Sequence, residues 1–380
     1  MKIGIDANWL IYEQAGIGRY SYYLIRELLR QDKENEYILF ANFVKNYEQR
    51  KKILEDLISQ SRNKKTEIYI SRIPSAWRDY LTQTAIPLNL IYPKKIDLYF
   101  STYFSGIAKN GFSKQAVVLY DMVFAKYPEH AGQKLSDYYY KRTKQAIGNS
   151  DIIFAISEST RNDLLDSFSL KKNDIDIIYP GVDMDFFSPR SDSKIVEKYK
   201  IDSPYILSVC TLEPRKNLEL LLDSYNILPD DLKRKYKIVL AGGSGWNNSK
   251  LMQKIEEMTD RKQIIRTGYV PDNDLPYLYS NATVFAYPSL YEGFGMPPLE
   301  AMACGCPVLT SNVSSLPEVI GQAGIMFNPL DKNELTQKIS NILSDDKKLK
   351  KMSVDGLNQS KKFTWQNSAQ KLISYFINNR

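Results

Sequence analysis

Short apolar runs alternate with longer amphipathic stretches along the first half of the chain. Each run has the length and β-branched content of a buried strand, and the longer stretches repeat apolar residues at helical spacing. Such alternation is typical of a parallel sheet with helices on both faces, so we predict an α/β fold. The predicted strands lie at residues 2–7, 37–41, 67–70, 97–101, 116–120 and 151–156.

The same pattern starts afresh in the second half and predicts a second parallel sheet. Its strands lie at residues 205–210, 237–241, 263–266, 282–287 and 308–310. The segment 187–203 is rich in Ser, Pro, Asp and Lys, as connections between domains usually are. We therefore predict one domain over residues 1–186, a second over residues 187–365, and an amphipathic terminal helix at about 366–380.

Composition fits two globular domains and limits the function classes. The 380 residues carry a net charge of +7, which is spread over both halves and does not require nucleic acid as a partner. The three cysteines, Cys210, Cys304 and Cys306, suit buried small side chains in a reducing compartment better than a disulfide framework or a metal site. Since we find neither a signal peptide nor an apolar run of roughly 20 residues, we expect a cytosolic protein.

The most informative stretch runs from residue 287 to residue 307. A predicted strand leads into the loop Glu292-Gly293-Phe294-Gly295, and Pro297 marks the start of a short helix. The first amides of a helix carry the positive end of its dipole, and glycines before them let a phosphate approach, so this turn suits a diphosphate. Glu292 and Glu300 would then face uncharged groups such as sugar hydroxyls. The alternative is a solvated loop residue and a helix residue that complements the dipole.

Two adjacent cations follow the first strand of the second half. Arg215 and Lys216 stand at the carboxyl end of that strand, where ligands of parallel sheets bind. They suit a departing nucleoside diphosphate, although a solvated loop is the alternative. The sequence Asp183-Met184-Asp185 has the form of a metal-nucleotide motif, but its place next to the connection favours a hydrated turn.

The segment Glu292-Gly-Phe-Gly-Met-Pro-Pro-Leu-Glu300 resembles the E-x7-E motif of the retaining glycosyltransferases of family 4, the group 1 glycosyltransferases, which include many mannosyltransferases. Glu213-Pro-Arg-Lys-Asn217 resembles their phosphate-binding segment, and the loop around Gly16 resembles their N-terminal glycine loop. The resemblance covers nearly the whole chain. It implies the GT-B fold, in which two Rossmann-like domains face each other across a cleft. In relatives the first domain binds the acceptor, the second binds the donor, and the terminal helix packs back on the first.

The resemblance also implies roles for individual residues. Glu292 would hold the transferred sugar and Glu300 the ribose hydroxyls, while Arg215 and Lys216 would bind the diphosphate. Tyr269 and Val270 would line the nucleobase pocket with their backbone. The remaining implied donor-site residues are Gly16, Gly243, Gly293, Phe294, Gly295, Met296 and Leu299.

Two positions depart from the family pattern. Many relatives carry His-Asp near the transferred sugar, where this chain has Tyr120 and Asp121, which we keep as catalytic candidates beside Glu292. A tyrosine is neutral at pH 7 and cannot shuttle a proton as histidine does. Either catalysis does not need that proton transfer or the role has moved. His130 is a conceivable substitute, although an exposed loop histidine is the favoured interpretation of it. Cys210 stands where many relatives have an additional arginine, so Arg215 would contribute more of the binding to the diphosphate.

Together with the resemblance, these residues predict a retaining hexosyltransferase that needs neither metal nor cofactor. The donor would be GDP-mannose or a UDP-hexose, with mannose favoured. The acceptor would be a hydroxyl of a glycan or lipid-linked acceptor during assembly of bacterial O-antigen, capsule or exopolysaccharide. The alternatives are a catalytically impaired nucleotide-sugar-binding protein and a nucleotide-sugar epimerase.

An aromatic and basic helix is predicted around residues 137–147. It presents Tyr138, Lys141 and Lys144, which could face the acceptor or lipid headgroups and would then allow peripheral contact with the cytoplasmic face of the inner membrane. An ordinary packed helix with one solvated side is the commoner arrangement and the favoured interpretation.

Overall fold

The computed structural model describes residues 1–10, 16–73, 88–90, 92–103, 114–192, 194–246 and 249–379. The chain divides into two compact units. The first unit consists of Met1–Gly181 with Trp365–Arg380, and the second consists of Val182–Thr364. The division thus lies at 181/182, whereas the sequence analysis placed it at 186/187.

The first unit contains a seven-stranded sheet in the order β3-β2-β1-β4-β5-β6-β7. All of its strand pairs are parallel. The strands are β1 (Lys2–Asp6), β2 (Glu36–Asn42), β3 (Thr66–Ser71), β4 (Leu98–Ser101), β5 (Lys114–Leu119), β6 (Ile152–Ala155) and β7 (Ile175–Ile177). The described helices are α1 (Gly16–Gln31), α2 (Tyr47–Ser59), α3 (Val123–Lys126), α4 (Pro128–Ala131), α5 (Gln133–Asn149) and α6 (Glu158–Ser167).

The second unit contains a six-stranded parallel sheet in the order β10-β9-β8-β11-β12-β13. Its strands are β8 (Tyr205–Val209), β9 (Lys237–Ala241), β10 (Ile264–Gly268), β11 (Val284–Tyr287), β12 (Val308–Ser311) and β13 (Ile325–Phe327). Its described helices are α7 (Lys194–Lys198), α8 (Leu218–Asn226), α9 (Asp230–Lys235), α10 (Ser249–Asp260), α11 (Leu275–Asn281), α12 (Met296–Ala303), α13 (Leu316–Ile320), α14 (Lys332–Leu343) and α15 (Asp346–Ser360).

The apolar runs of the sequence lie where the strands lie. Ile206, Val284 and Leu309 from neighbouring strands are completely buried in the core of the second unit. Sheets covered on both faces bury both sides of each strand, which is why these runs are continuous rather than alternating. The sequence analysis missed β7 and β13, because strands of three residues give too short an apolar run to be recognised.

The terminal helix α16 (Trp365–Asn378) belongs to the first unit. It buries Trp365, Leu372 and Phe376, and the Phe376 ring meets the ring of Phe100 in β4 at 5.9 Å. In this way the end of the chain completes the core of the unit that the start of the chain forms. Within the described part of the chain, no helix is both long enough and apolar enough to span a membrane.

The segment after residue 186, predicted as a connection, packs on the second unit. The Phe187 ring is buried near the ring of Tyr279, at a centroid distance of 6.3 Å. Lys198 lies 2.7 Å from the carboxylate of Asp274. The polar composition of this segment therefore reflects an exposed surface of the second unit and not a free linker.

Candidate active site

The strand order reverses once in each sheet, and the second reversal organises the predicted site. In the second unit β8 lies beside β11, and the strands that follow them in the chain, β9 and β12, lie on opposite sides of this pair in the sheet. A crevice outside the carboxyl ends of strands forms at such a point, and ligands of open α/β sheets bind there. Arg215 and Lys216 follow β8, and Glu292 follows β11.

Glu292 lies at the centre of a buried cluster. One carboxylate oxygen, Oε1, accepts hydrogen bonds from Lys216 Nζ at 2.6 Å, Ser289 Oγ at 2.6 Å and the Tyr287 hydroxyl at 2.9 Å. The other oxygen, Oε2, lies 2.9 Å from Arg215. The residue is only 8% exposed, so it is not the solvated loop glutamate of the alternative interpretation.

The charges around Glu292 keep its side chain ionised. Burial alone would raise the pKa of the carboxyl group, but the positive charges of Lys216 and Arg215, with the hydrogen bonds from Lys216 and Ser289, lower that pKa to about 2. The carboxylate is therefore a fixed anion over the whole physiological pH range. It is suited to accept hydrogen bonds and not to donate a proton.

Arg215 is held between two carboxylates. Its guanidinium donates to Glu213 at 2.6 Å and to the carbonyl oxygen of Tyr291 at 2.8 Å, besides its contact with Glu292. Two cations therefore face two carboxylates, and the sequence analysis did not foresee this pairing. Within the described part of the chain Lys216 donates to Tyr287 and Glu292, and because an ammonium group has three N–H bonds, it has one more to donate to an incoming anion.

The loop after Glu292 needs its glycine. Gly295 has a φ of 113°, and a Cβ atom there would come within 2.9 Å of the Leu316 side chain. The residue precedes α12, whose first turn contains a proline. The predicted arrangement of strand, glycine loop and helix is thus present. Because Pro297 and Pro298 have no N–H group and the Leu299 N–H donates to the Gly295 carbonyl oxygen at 3.3 Å, the first turn of this helix offers a ligand only the N–H of Met296.

Glu300 lies apart from the Glu292 cluster. It is 3% exposed and accepts a hydrogen bond from the Tyr279 hydroxyl at 3.0 Å. The rings of Tyr279, Phe285 and Tyr287 form a row, with centroids 5.4 Å and 5.7 Å apart, and the Tyr287 hydroxyl donates to Glu292. Each predicted carboxylate is thus held by one tyrosine of the same aromatic row, a feature that the sequence analysis did not foresee.

Two family models match this chain and together span most of it. The model described as "Glycosyl transferases group 1" matches residues 191–359, and the model described as "Glycosyltransferase Family 4" matches residues 15–186. The O-antigen chain mannosyltransferase B of Escherichia coli is 31% identical to the chain over 99% of both proteins. The chain belongs to this glycosyltransferase family.

Further comparisons agree with this assignment. The serotype-specific mannosyltransferase WbdA of Escherichia coli is 36% identical over 60% of this chain and 29% of its own length. The crystal structure of HepE from Anabaena in complex with UDP has the same fold, with a TM-score of 0.71, 17% identity and 99% of both chains covered. The predicted GT-B fold and the predicted family are thereby confirmed, and the comparisons favour a transferase over an epimerase or a binding protein.

The other predicted donor residues of the glycosyltransferase fall into two groups. Gly293 and Met296 are half-buried in the loop and at the helix start, whereas Leu299 is completely buried. The Phe294 ring packs against Phe363 at a centroid distance of 5.6 Å and is 3% exposed. The side chains of Phe294 and Leu299 therefore belong to the core, and only their backbone is available to a donor.

The carboxyl ends of β9 and β10 carry the remaining predictions of the donor site. A Cβ atom at Gly243 would meet nothing within 4 Å, whereas at Gly242, with a φ of 142°, it would collide with the Cys210 carbonyl oxygen at 1.9 Å. Of these two glycines, the one that the fold requires is therefore Gly242, which the sequence analysis did not single out. Tyr269 is 65% exposed, and Val270 is buried beside it.

In the first unit of the glycosyltransferase, the Tyr120 side chain is buried and hydrogen-bonded within the protein. Its hydroxyl donates to the Thr102 carbonyl, its ring meets the Tyr20 ring edge-on at 5.1 Å, and burial raises its pKa above the ordinary value. The Asp121 carboxylate accepts the Val123 N–H at 3.0 Å.

Three further predictions concern residues outside the Glu292 cluster. Gly16 begins α1, directly after residues 11–15, which lie outside the described part of the chain. The side chain of His130 also lies outside the described part. Asp183 accepts the N–H groups of Asp185 at 3.2 Å and of Phe186 at 3.3 Å. Its carboxylate thus closes a turn, as expected for the hydrated-turn interpretation of this motif.

Proposed function

We propose that this glycosyltransferase transfers mannose from GDP-mannose to a hydroxyl of a glycan or lipid-linked acceptor, with retention of the anomeric configuration and without a metal ion. The relatives named for O-antigen mannosyl transfer support mannose and the assembly of a bacterial surface polysaccharide. A UDP-hexose is the second candidate donor, since HepE was solved with UDP.

The observation that carries the proposal is the buried Glu292 carboxylate between Lys216 and Arg215, directly before the start of α12. A fixed carboxylate at this place accepts hydrogen bonds from sugar hydroxyls and so orients the anomeric carbon. Glu300, with its hydroxyl partner Tyr279, would bind the ribose, and the backbone at Tyr269 and Val270 would line the nucleobase pocket.

The diphosphate becomes more negative as the bond between the anomeric carbon and its phosphate oxygen breaks. The remaining N–H of Lys216 and the N–H of Met296 at the start of α12 are donors for that charge, and a helix N-terminus favours an anion. These fixed donors would do the work that a divalent cation does in other transferases, which supports metal independence.

The acceptor hydroxyl attacks the anomeric carbon on the face that the diphosphate leaves, and its proton passes to the departing phosphate oxygen. One carbon–oxygen bond forms while another breaks, so the sugar keeps its configuration. This route needs no histidine. It agrees with a Tyr120 hydroxyl that is already committed to the Thr102 carbonyl.

The donor and the stereochemistry are tested together. A thermal-shift screen of GDP-mannose, UDP-glucose and UDP-galactose should give the largest stabilisation with GDP-mannose, because a ligand that binds only the folded state raises its stability. Nuclear magnetic resonance of the product should then show an α-mannoside. A β-mannoside would exclude retention, and a stabilisation by the UDP sugars alone would exclude GDP-mannose.

We also propose that the protein works at the cytoplasmic face of the inner membrane and that α5 contacts it. Leu135 and Tyr138 are each 45% exposed on this helix, among the exposed residues Lys134, Lys141 and Lys144. Basic side chains around exposed apolar groups attract anionic lipid surfaces. Flotation with phosphatidylglycerol vesicles should recover the protein, and a variant with Lys141 and Lys144 replaced by Glu should not float. Equal recovery of both proteins would contradict the proposal.

A further inference from the structure

Ser314 has a backbone conformation that residues other than glycine rarely adopt. Its φ is 56°, in the left-handed region, where the Cβ atom of an L-residue is crowded. Strain of this kind persists only where the surrounding structure imposes it, and it concentrates at functional sites. Ser314 lies in the loop that follows β12, next to the site.

The hydroxyl of Ser314 holds the peptide groups of Glu292. Its Oγ accepts the Glu292 N–H at 3.2 Å and donates to the Glu292 carbonyl oxygen. A single side chain thus satisfies both backbone groups of the residue at the centre of the cluster.

The next residue strengthens the same attachment. Ser315 is completely buried, and its Oγ lies 2.9 Å from the carbonyl oxygen of Glu292 and 2.6 Å from that of Phe294. Two serine side chains of the loop after β12 therefore hydrogen-bond to the backbone of the loop after β11. Lys216 and Arg215 meanwhile hold the Glu292 side chain. Backbone and side chain are fixed by different parts of the chain.

We propose that Ser314 is a positioning residue for the transfer reaction. It keeps the Glu292 peptide, and with it the carboxylate, at the place where the sugar of the donor is held, and the strained backbone is the consequence of that task. This inference rests on the proposed role of Glu292 in the transfer reaction.

Two substitutions separate strain from hydrogen bonding. Ser314→Gly removes the hydroxyl but also relieves the strain, since glycine adopts a φ of 56° readily. Ser314→Ala removes the hydroxyl and keeps the strain. If Ser314 only stabilised the fold, both variants would melt at lower temperature and turn over donor at the normal rate.

If Ser314 positions Glu292, the glycine variant should melt within about 2 °C of the unchanged protein yet lose about tenfold in kcat, because small displacements at a reacting centre are costly. The assay is release of GDP from GDP-mannose, or of UDP from UDP-glucose if the screen selects that donor. The affinity for the free nucleoside diphosphate, measured by calorimetry, should change less than about twofold, because the nucleotide does not depend on the sugar-holding residue.

Lys262→Gly is the matched control. Lys262 has a φ of 59°, is exposed, and lies before β10, so the substitution relieves similar strain with no hydroxyl to lose. Its turnover should equal that of the unchanged protein. Normal turnover of Ser314→Gly, beside an inactive Glu292→Gln variant, would overturn the positioning role and leave the proposed function intact. Normal turnover of Glu292→Gln would overturn the proposed role of Glu292 itself.

Discussion

The substitution Glu292→Gln removes one negative charge from the buried cluster and hardly changes its shape. Lys216 and Arg215 then lose the carboxylate that lies 2.6 Å and 2.9 Å from their nitrogen atoms. The pKa of Glu292 is lowered from 4.5 to about 2 in the folded protein. At about 1.4 kcal/mol per pKa unit, the ionised side chain contributes about 3 kcal/mol to the free energy of unfolding. Removal of one partner of a buried ion pair typically costs about 3–5 kcal/mol, which agrees.

The pH dependence of this contribution has a definite sign. Because the pKa in the folded state lies below the unfolded value, the stabilisation is complete above about pH 4.5 and disappears as the pH falls to about 2. The free energies of unfolding of the protein and of Glu292→Gln should therefore differ by about 3 kcal/mol at pH 7 and converge near pH 2. Other acidic groups titrate in both proteins, so the difference isolates Glu292.

Urea unfolding followed by circular dichroism at a series of pH values measures this difference. Pulse proteolysis should accompany it, since a chain of two units need not unfold in one step. Glu219→Gln, an exposed position on α8, is the control and should change stability by less than about 0.5 kcal/mol. A difference for Glu292→Gln below about 1 kcal/mol at pH 7, or one of equal size at pH 3 and pH 7, would refute the reasoning.

Three further changes test the donor site. Lys216→Ala should weaken the binding of GDP about tenfold, because it removes a charge-assisted donor, and unchanged affinity in calorimetry would take Lys216 out of the site. Gly295→Ala should lower the free energy of unfolding by about 1–3 kcal/mol, since a φ of 113° strains alanine; an unshifted melting curve would contradict this. Transfer should survive EDTA, whereas abolition that manganese reverses would restore the metal hypothesis for Asp183 and Asp185.

The positions of the strands along the chain and their parallel arrangement followed from the sequence to a large extent. All the strands predicted in both halves are present, because a strand buried on both faces is a continuous apolar run that local composition reveals. The two strands that were missed, β7 and β13, are short. The glycine loop before α12 was also predictable, since its residues are adjacent in the chain and each has a conformational requirement of its own.

The hydrogen-bond and ion-pair partners of the candidate residues could not be predicted from the sequence. Arg215 and Lys216 were foreseen as free cations for a diphosphate, but the structure pairs them with Glu292 and places Glu213 beside Arg215. Tyr120 was kept as a catalytic candidate, and the hydrogen bond from its hydroxyl to the Thr102 carbonyl in the interior of the first unit was not foreseen. In both cases the residue type was informative, but its hydrogen-bond partner was not encoded nearby.

The sequence by itself determined the family, the two parallel sheets and the stretch that carries the candidate chemistry, because hydrophobic periodicity and turn residues act over a few neighbouring positions. Only the tertiary structure decided that Glu292 meets Lys216, which is 76 residues away along the chain, and that Ser314 holds the Glu292 backbone. The physical reason is the strand order, which places β8 next to β11 and β11 next to β12. That order is set by the packing of the whole sheet and its helices, and no local pattern in the chain specifies it.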